Sequence, residues 1–438
     1  MKKFKSFLVL GLGKTGLSVV EFLSKLEKKV LIWDDNQIEK SSFKSIDDID
    51  WNQIDVVVQS PGISFSYPIP HKITALAQSK NIPIVTDINL LQTYIENVEN
   101  YVAVTGTNGK STTTALLGEV LCKFERDVKV GGNIGTPALS FDFKKNTETF
   151  VLELSSFQLE ISTDIKLDTA IWLNITPDHL DRHGNINSYV QAKANIFKNC
   201  KRALVSIDDE YSKNIYKKYK DRLEAYSFSL KDHNAFFHVK DGYIYAEKQK
   251  FFNLNECENL IGEHNWQNML AVFSYCYLKS YEPYKVFQYI KDFSGLQHRQ
   301  QKVGFLDGVT FINDSKATSA SATSTALKTF LGKDIFWILG GRAKTDGIND
   351  LESFFPHIKH AFLIGESQKN FAKFMDGKLN YSIESNLESA VKNAFTMAKK
   401  SKNSPVVLFS PACASFDQFK NFEHRGDVFT QIVASYIN

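Results

Sequence analysis

Short apolar runs rich in valine, isoleucine, leucine and phenylalanine recur along the chain and stop abruptly at glycine or a small polar residue. Phe7–Leu10, Asp55–Ser60, Tyr101–Thr105, Thr149–Glu153 and Thr169–Asn174 have this form. So do Gly308–Asn313, Asp334–Gly340, His360–Gly365 and Ser404–Ser410. Continuous apolar runs bounded by turn residues are the mark of parallel strands buried on both faces. Between them lie stretches with helical spacing, such as Leu116, Leu117, Val120 and Leu121. Strand alternating with helix predicts an α/β fold with mostly parallel sheets. Residues 7–33 read strand–turn–helix–strand, and Ile82–Leu91 reads as a strand followed by a turn. Ser188–Cys200 and Gly262–Leu278 read as helices. Residues 203–261 are less regular, with strand-like segments separated by charged turns, and Phe293–Gly304 reads as a loop. The pattern resets near residues 92 and 296, so three units are expected: 1–92, 93–296 and 297–438.

The strongest chemical signal sits in the middle unit. The run Tyr101–Thr105 ends in Gly106-Thr107-Asn108-Gly109-Lys110-Ser111-Thr112, and a helical stretch follows. Strand, glycine turn, Lys-Ser and helix is the layout of a phosphate-binding loop. Backbone N–H groups and the positive end of a helix face the anion, and the lysine adds a full charge. Val104 stands where the longest form of that pattern has glycine. A nucleoside triphosphate is the expected ligand, with Ser111 and Thr112 placed to bind a phosphate or its Mg²⁺. The next strand runs end in Asn133, in Glu153 with Ser155 and Ser156, and in Asn174 with the cluster Asp178-His179-Leu180-Asp181-Arg182-His183. Ligands of doubly wound sheets lie beyond the carboxyl ends of the strands, so these residues are candidates to converge on Lys110. Hard oxygen ligands such as Glu153 and Asp178 suit Mg²⁺. Lys193 alone reads as the wet face of an amphipathic helix, and Asn265 and Asn268 either read a base edge or cap a helix.

A second glycine loop, Gly11-x-Gly13-x-x-Gly16, follows the first strand, and Asp34 and Asp35 end the next one. That is the dinucleotide fingerprint. It allows an NAD-dependent dehydrogenase, a plain tight turn, or a loop for another nucleotide's diphosphate, such as that of a nucleotide sugar.

Composition narrows the classes. Of 438 residues, 43% are hydrophobic and 23% charged, as in soluble globular proteins. A net charge of +3 gives no reason to expect nucleic acid as a partner. The five cysteines (122, 200, 257, 276 and 413) form no C-x-x-C pair, which points away from a zinc site or disulfide framework and fits a reducing compartment. The lysines and apolar run at the N-terminus read as a first strand rather than a signal peptide, because glycines and Lys14 soon interrupt the run. No apolar stretch nears the roughly 20 residues of a membrane span, so no membrane partner is expected.

Taken in order, GTNGKSTTT, GGNIG, LELSSFQLE, NITPDHLDRH, INDSKATS and SPACASFDQFKNFEHRG resemble the Mur ligase family over essentially the whole chain. GLGKTGLS at one end and SPACASFDQFKNFEHRG at the other resemble the branch that adds D-glutamate. The resemblance implies a three-domain architecture: an N-terminal Rossmann-like UDP-binding domain, a central P-loop ATPase-like domain and a C-terminal Rossmann-like domain. It implies a cytoplasmic, monomeric enzyme of peptidoglycan synthesis that joins D-glutamate to UDP-N-acetylmuramoyl-L-alanine through an acyl phosphate, using ATP and two Mg²⁺ ions. Another ligase of the family or a folylpolyglutamate synthase is the neighbouring alternative. By motif, Gly106–Thr112 would hold the phosphates, with Lys110, His179 and Lys193 catalytic and Ser111, Glu153, His179 and a carbamylated Lys193 on the metal. Asn265, Asn268, Arg299 and Asp314 would complete the nucleotide site. Leu12, Gly13, Lys14, Thr15, Asp34, Asp35, Ser60, Pro61, Gly62, Asn133 and His179 would bind the UDP substrate. Lys316, Thr318, Lys344, Ser415 and Phe422 would recognise D-glutamate. Arg342 and Ala343, just before Lys344, depart from the family's small or acidic residues there.

Overall fold

The alternation of side chains along each central strand feeds two cores at once. Phe7 and Val9 of β1 (Ser6–Leu10) enter one apolar cluster, while Leu8 and Leu10 enter another on the opposite face. A strand covered on both faces must be apolar throughout, which is why period-2 polarity is missing from the sequence. The computed structural model describes residues 4–143, 146–257, 259, 260, 262–343 and 347–437. It divides into two units: Met1–Cys257 with Glu263–Phe293, and Glu258–Gly262 with Ser294–Asn438.

The first unit holds two sheets. In the first, β1 pairs in parallel with β2 (Lys29–Trp33) and β3 (Val56–Gln59), and β3 with the short β4 (Ile84–Val85). Helices α1 (Lys14–Lys25), α2 (Lys72–Ser79) and α3 (Asp87–Tyr94) connect or follow these strands. The second sheet has the order β13-β12-β11-β10-β9-β8-β5-β7-β6. Its central strands are β5 (Val98–Thr105), flanked by β7 (Thr147–Glu153) and β8 (Leu167–Trp172), with β6 (Val128–Gly132) at the near edge. Helices α4 (Lys110–Leu121), α5 (Ser156–Ile161), α6 (Leu180–His183) and α7 (Ile186–Ala194) follow these strands. Beyond them come β9 (Cys200–Ser206), α8 (Glu210–Tyr219), β10 (Glu224–Ser229) and β11 (Phe237–Lys240), still parallel, then antiparallel β12 (Tyr243–Ala246) and β13 (Gln249–Asn253). Helices α9 (Glu263–Leu278) and α10 (Pro283–Asp292) complete the unit.

One apolar cluster runs from Val9 and Leu90 of the first sheet's layer to Phe150 and Trp172 of the second. A polar seam runs beside it. Asn89 donates to Asp164 (2.6 Å), and Gln92 exchanges hydrogen bonds with the backbone of Lys166 (2.6 and 2.9 Å).

The second unit is a six-stranded sheet, β14-β15-β19-β16-β17-β18. Its strands are β14 (Gln301–Leu306), β15 (Val309–Asn313), β16 (Ile335–Gly340), β17 (Ile358–Ile364), β18 (Tyr381–Ile383) and β19 (Val406–Phe409). All pair in parallel except β14, which forms a hairpin with β15. Helices α11 (Ala320–Thr329), α12 (Gln368–Met375), α13 (Leu387–Ala398) and α14 (Phe422–Ile437) complete it.

Three local readings are corrected here. The stretch after β4 is a helix rather than a turn, because Thr86 and Asn89 form a capping box at its start. Residues 210–219 are a helix, capped by the Asp209 carboxylate on the Ser212 amide, rather than a charged turn. Gln301–Gly304, read as loop, belongs to a strand, closed onto β15 by Asp307-Gly308 with φ of 51° and 81°. An Asp-Gly pair with both φ values positive is a favoured two-residue hairpin turn.

Candidate active site

Register alone brings the key carboxyl ends together. Val104 pairs with Glu153 and Thr105 with Trp172, so the strand ends of β7 and β8 flank the loop that leaves β5. That loop needs its glycines. Gly106 has φ 152°, and a Cβ there would lie 3.0 Å from Leu173 Cβ. Gly109 has φ 84°, and a Cβ there would lie 2.3 Å from Asn268 Oδ1.

The segment after β8 grips the loop. Thr107 N donates to Asn174 O (2.8 Å) and Asn108 N to Asn174 Oδ1 (2.9 Å), while Asn174 Nδ2 donates to Asn108 O (3.1 Å) and to Gln267 Oε1 (2.7 Å). Asn265 and Asn268, read as base-facing or capping, are both buried. Asn268 accepts from Thr113 Oγ1 (3.1 Å) and donates to Asn265 Oδ1 (3.0 Å), bracing α4 from α9.

Two lysines converge on one carbonyl. Lys110 Nζ donates to Gly106 O (2.9 Å) and Thr107 O (2.8 Å), and Lys193 Nζ donates to Gly106 O (2.8 Å). The wet-face reading of Lys193 is wrong: the residue is 1% exposed. Burial first, and the neighbouring Lys110 charge second, hold its ammonium well below the usual lysine range, against the pull of Asp178 and Glu153. Tyr189, four residues earlier on the same helical face, lies under it with the ring centroid 4.8 Å from Nζ. The Tyr189 hydroxyl is 3.1 Å from Thr107 Oγ1. Tyr189 and Gln267 were missed in the sequence; the i, i+4 spacing to Lys193 was the available signal for the first.

Glu153 is 2% exposed. Its Oε1 accepts from Asn133 Nδ2 (2.8 Å), and its Oε2 is buried with no hydrogen-bond donor among the described residues. A buried carboxylate oxygen left without a donor is costly unless something positive meets it. Together with the Ser111 hydroxyl at the start of α4, this donor set fits a hard divalent cation. His179 follows on the β8 side with φ 52°, its Nε2 3.5 Å from Asp178 Oδ2. Phe157 meets the His179 ring edge-on at 5.0 Å and stacks on His183 at 5.2 Å. His183 is buried, with Nε2 2.9 Å from Ser156 Oγ. Burial, then the His179 charge, push its pKa down to about 4.

At the first glycine loop, Gly11 has φ 93°, and a Cβ on Gly16 would lie 1.8 Å from Gly11 O, so α1 starts in contact with the turn. Gly13, Lys14 and Thr15 lie on the accessible side of the loop, and Leu12 is buried. Asp34 is buried and spends both oxygens inside the protein, accepting from Leu12 N (2.6 Å) and Asn36 N (2.9 Å). An NAD ribose would find that fingerprint acid already engaged. Asp35 lies 3.0 Å from His71 Nε2, and Ser60 Oγ donates to Gly11 O (3.1 Å), which draws the Ser60-Pro61-Gly62 turn beside the glycine loop.

In the second unit, Arg425 organises the candidate amino-acid residues. It is 1% exposed, with Nε donating to Ser315 Oγ (3.0 Å), Nη2 to Ser315 O (2.7 Å) and Nη1 to Cys413 O (3.0 Å). Ser315 Oγ donates in turn to Phe422 O (2.8 Å), and the Lys316 ammonium lies 5.6 Å from the Phe422 ring centroid. The segments carrying Lys316 and Phe422 are therefore tied through one guanidinium, which the sequence reading did not single out, and Ser415 is buried two residues beyond the Cys413 carbonyl that the same group holds. Thr318 is half-buried on the same segment as Lys316. Asp314 is buried, accepting from Ser410 Oγ (2.7 Å) and Gln300 N (3.1 Å), and Arg299, next to Gln300 in the chain, is half-buried. Lys344 lies outside the described residues. Arg342 exchanges backbone hydrogen bonds with Ala414 (both 2.9 Å) and pairs with Glu366 (3.1 Å), so the departure from the family pattern sits on an ordered bridge.

Comparison with known proteins gives this geometry a lineage. The profile of the Mur ligase middle domain matches residues 104–276, and that of the Mur ligase MurD-like N-terminal domain matches residues 5–86. A UDP-N-acetylmuramoylalanine--D-glutamate ligase of Paramagnetospirillum magneticum is 39% identical, covering 99% of this chain and 97% of its own. The chain belongs to the Mur ligase family. Ligases of the same name from Rhodospirillum rubrum (38% identical; 97% of this chain, 94% of its own) and Brucella abortus (36%; 98% and 96%) agree. Among solved structures, the UDP-N-acetylmuramate-alanine ligase of Thermotoga maritima superposes with a TM-score of 0.59 at 18% identity, covering 98% of this Mur ligase and 99% of its own chain. The MurF ligase of the same organism, solved with ADP, gives 0.57 at 17% identity, covering 99% and 97%. These two show the shared fold.

Proposed function

We propose that this ligase joins D-glutamate to UDP-N-acetylmuramoyl-L-alanine with ATP, in the cytoplasm, as a monomer. The observation that carries the reading is the convergence of Lys110 and Lys193 on Gly106 O in the loop after β5, with Glu153 at the paired strand end and one of its oxygens without a donor among the described residues. The full-length likeness to D-glutamate ligases supports the choice of amino acid.

In this reading the terminal carboxylate of the UDP substrate attacks the γ-phosphorus of ATP, giving an acyl phosphate and ADP. The D-glutamate amine then attacks the acyl carbon. The tetrahedral adduct expels phosphate and leaves an amide. Carboxylate oxygen is a poor leaving group, so conversion to phosphate is what ATP supplies. Lys110 and the N–H groups at the start of α4 stabilise charge on the transferring phosphoryl group, the Thr107 and Asn108 amides being engaged by Asn174. Ser111, Glu153, His179 and carbamylated Lys193 would hold Mg²⁺, which when bound neutralises phosphate charge. Carbamylation needs a neutral amine, whose lone pair adds to CO₂ with loss of a proton; burial of Lys193 favours that neutral form. Leu12–Thr15 and Ser60–Gly62 receive the UDP portion, with Asp35 on the uracil side, Asp34 holding the loop, and Asn133 and His179 towards the sugar. Lys316, Thr318, Lys344, Ser415 and Phe422 recognise D-glutamate, whose two carboxylates suit lysines and hydroxyls.

The test is phosphate release with ATP, Mg²⁺, UDP-N-acetylmuramoyl-L-alanine and single amino acids. Release with D-glutamate, lost in Lys110→Ala while UDP-substrate binding persists, supports the reading. Release only with another amino acid contradicts it.

A further inference from the structure

Two loops with separate proposed duties are joined by one side chain. Arg182, on the short helix α6, donates from Nη1 to Gly62 O (2.9 Å), on the loop assigned to the UDP substrate. Its guanidinium lies over the Phe157 ring, 4.8 Å from the centroid, and Phe157 meets the ring of His179 edge-on. Arg182 Nε is buried with no acceptor among the described residues, and stacking, the Gly62 bond and the charge of Glu160 hold the group. Two further contacts dock the same segment on the first sheet's loop. A Cβ on Gly184 would lie 3.2 Å from the Tyr67 ring, and Ser66 Oγ donates to Glu160, which lies 4.0 Å from His183 Nδ1.

His179 itself has φ 52°, a conformation that a non-glycine residue keeps only when its surroundings enforce it. The stretch 179–184 leaves the second sheet, yet part of its support comes from the first sheet's Ser60–Tyr67 segment. Gly62 O, Arg182, Phe157 and His179 thus form one continuous chain of contacts.

We propose that Arg182 is a positioning residue that couples occupancy of the UDP-substrate loop to the placement of His179, so that UDP-substrate binding and nucleotide binding favour the same arrangement of His179. This rests on the reading of Ser60–Gly62 and His179 given above. The coupling is reciprocal, since two ligands that stabilise one arrangement tighten each other by the same factor.

The experiment is titration calorimetry of UDP-N-acetylmuramoyl-L-alanine, with and without a non-hydrolysable ATP analogue and Mg²⁺, on wild type, Arg182→Met and Arg182→Lys. In wild type the analogue is expected to tighten the UDP substrate at least threefold. In Arg182→Met that factor falls to about one, while the analogue alone binds within twofold of wild type. Arg182→Lys, which keeps a donor for Gly62 O, recovers part of the factor. Unchanged coupling in Arg182→Met overturns the proposal, as does a wild type with no coupling. A folding defect would instead weaken the analogue alone, and that result also counts against a positioning role. Wild type that never binds the UDP substrate overturns the functional reading and this proposal together.

Discussion

The substitution Gly109→Ala probes how tightly the phosphate loop is built. A Cβ at this position, where φ is 84°, enters a region that L-residues occupy at a cost of about 1–2 kcal/mol. It would also stand 2.3 Å from Asn268 Oδ1, far inside normal contact. Asn268 cannot swing away freely, because it is 1% exposed and bonded to Thr113 and Asn265. Moving it costs the Thr113 bond, about 1 kcal/mol. The sum is about 2–3 kcal/mol, with Lys110 displaced in the same step. Gly135→Ala is the control, since Gly135 has φ 61° and no atom within 4 Å of the added Cβ. It should cost only the backbone term, about 1 kcal/mol. Urea unfolding of both variants gives the difference, and the KM for ATP reports the loop, with an expected rise of at least tenfold for Gly109→Ala alone. Asn268→Ala added to Gly109→Ala removes the overlap and should recover part of the stability. Equal midpoints for the two glycine variants, with an unchanged KM for ATP, would refute the reasoning.

Lys193→Ala should lose nearly all turnover and regain part of it with millimolar acetate or formate, which supply the missing carboxylate; unchanged activity without rescue removes Lys193 from the metal site. Burial lifts the Asp314 carboxyl from 3.8 to about 7, against the Ser410 and Gln300 hydrogen bonds and the Arg299 charge. The folded protein then binds more protons than the unfolded chain between those values, so this group's contribution is full below pH 4 and is lost as pH rises through 7. Asp314→Asn should flatten that slope in urea unfolding and gain on wild type above pH 7, by at most about 4 kcal/mol; parallel pH profiles would show that the carboxyl is not the source. Arg425→Met leaves the Ser315 and Cys413 carbonyls without their donors. It should destabilise by roughly 2–5 kcal/mol and raise the KM for D-glutamate more than that for ATP. Equal effects on both KM values would leave Arg425 a purely structural residue.

Much of the fold was legible because parallel strands leave continuous apolar runs that end where chemistry begins. Thr105, Glu153 and Asn174 mark three such ends, and register sets them side by side. The misread pieces are those where local signals outweigh hydrophobic period. The capping box at Thr86 and the Asp307-Gly308 turn were both written in the sequence and needed only to be weighed above the apolar pattern. Lys193 was only half legible from its helix: Tyr189 lies one turn back at i, i+4 spacing, but the Gly106 carbonyl that meets its ammonium belongs to the loop after β5. Arg425 was hidden for a related reason: a charged residue in a polar motif gives no sign that it will be enclosed. Asp34 illustrates a subtler gap. Its spacing after the glycine loop was plain, but whether its oxygens face a ribose or the Leu12 amide depends on how the loop closes.

Isotope transfer tests the proposed chemistry most directly. The UDP-N-acetylmuramoyl-L-alanine carboxylate is labelled with ¹⁸O, and the protein is supplied with ATP, Mg²⁺ and D-glutamate. If the carboxylate attacks the γ-phosphorus and the amine then displaces phosphate, each phosphate released carries one ¹⁸O and one amide is formed with it. Unlabelled phosphate, or labelled phosphate formed with an amino acid other than D-glutamate and not with D-glutamate, would contradict it.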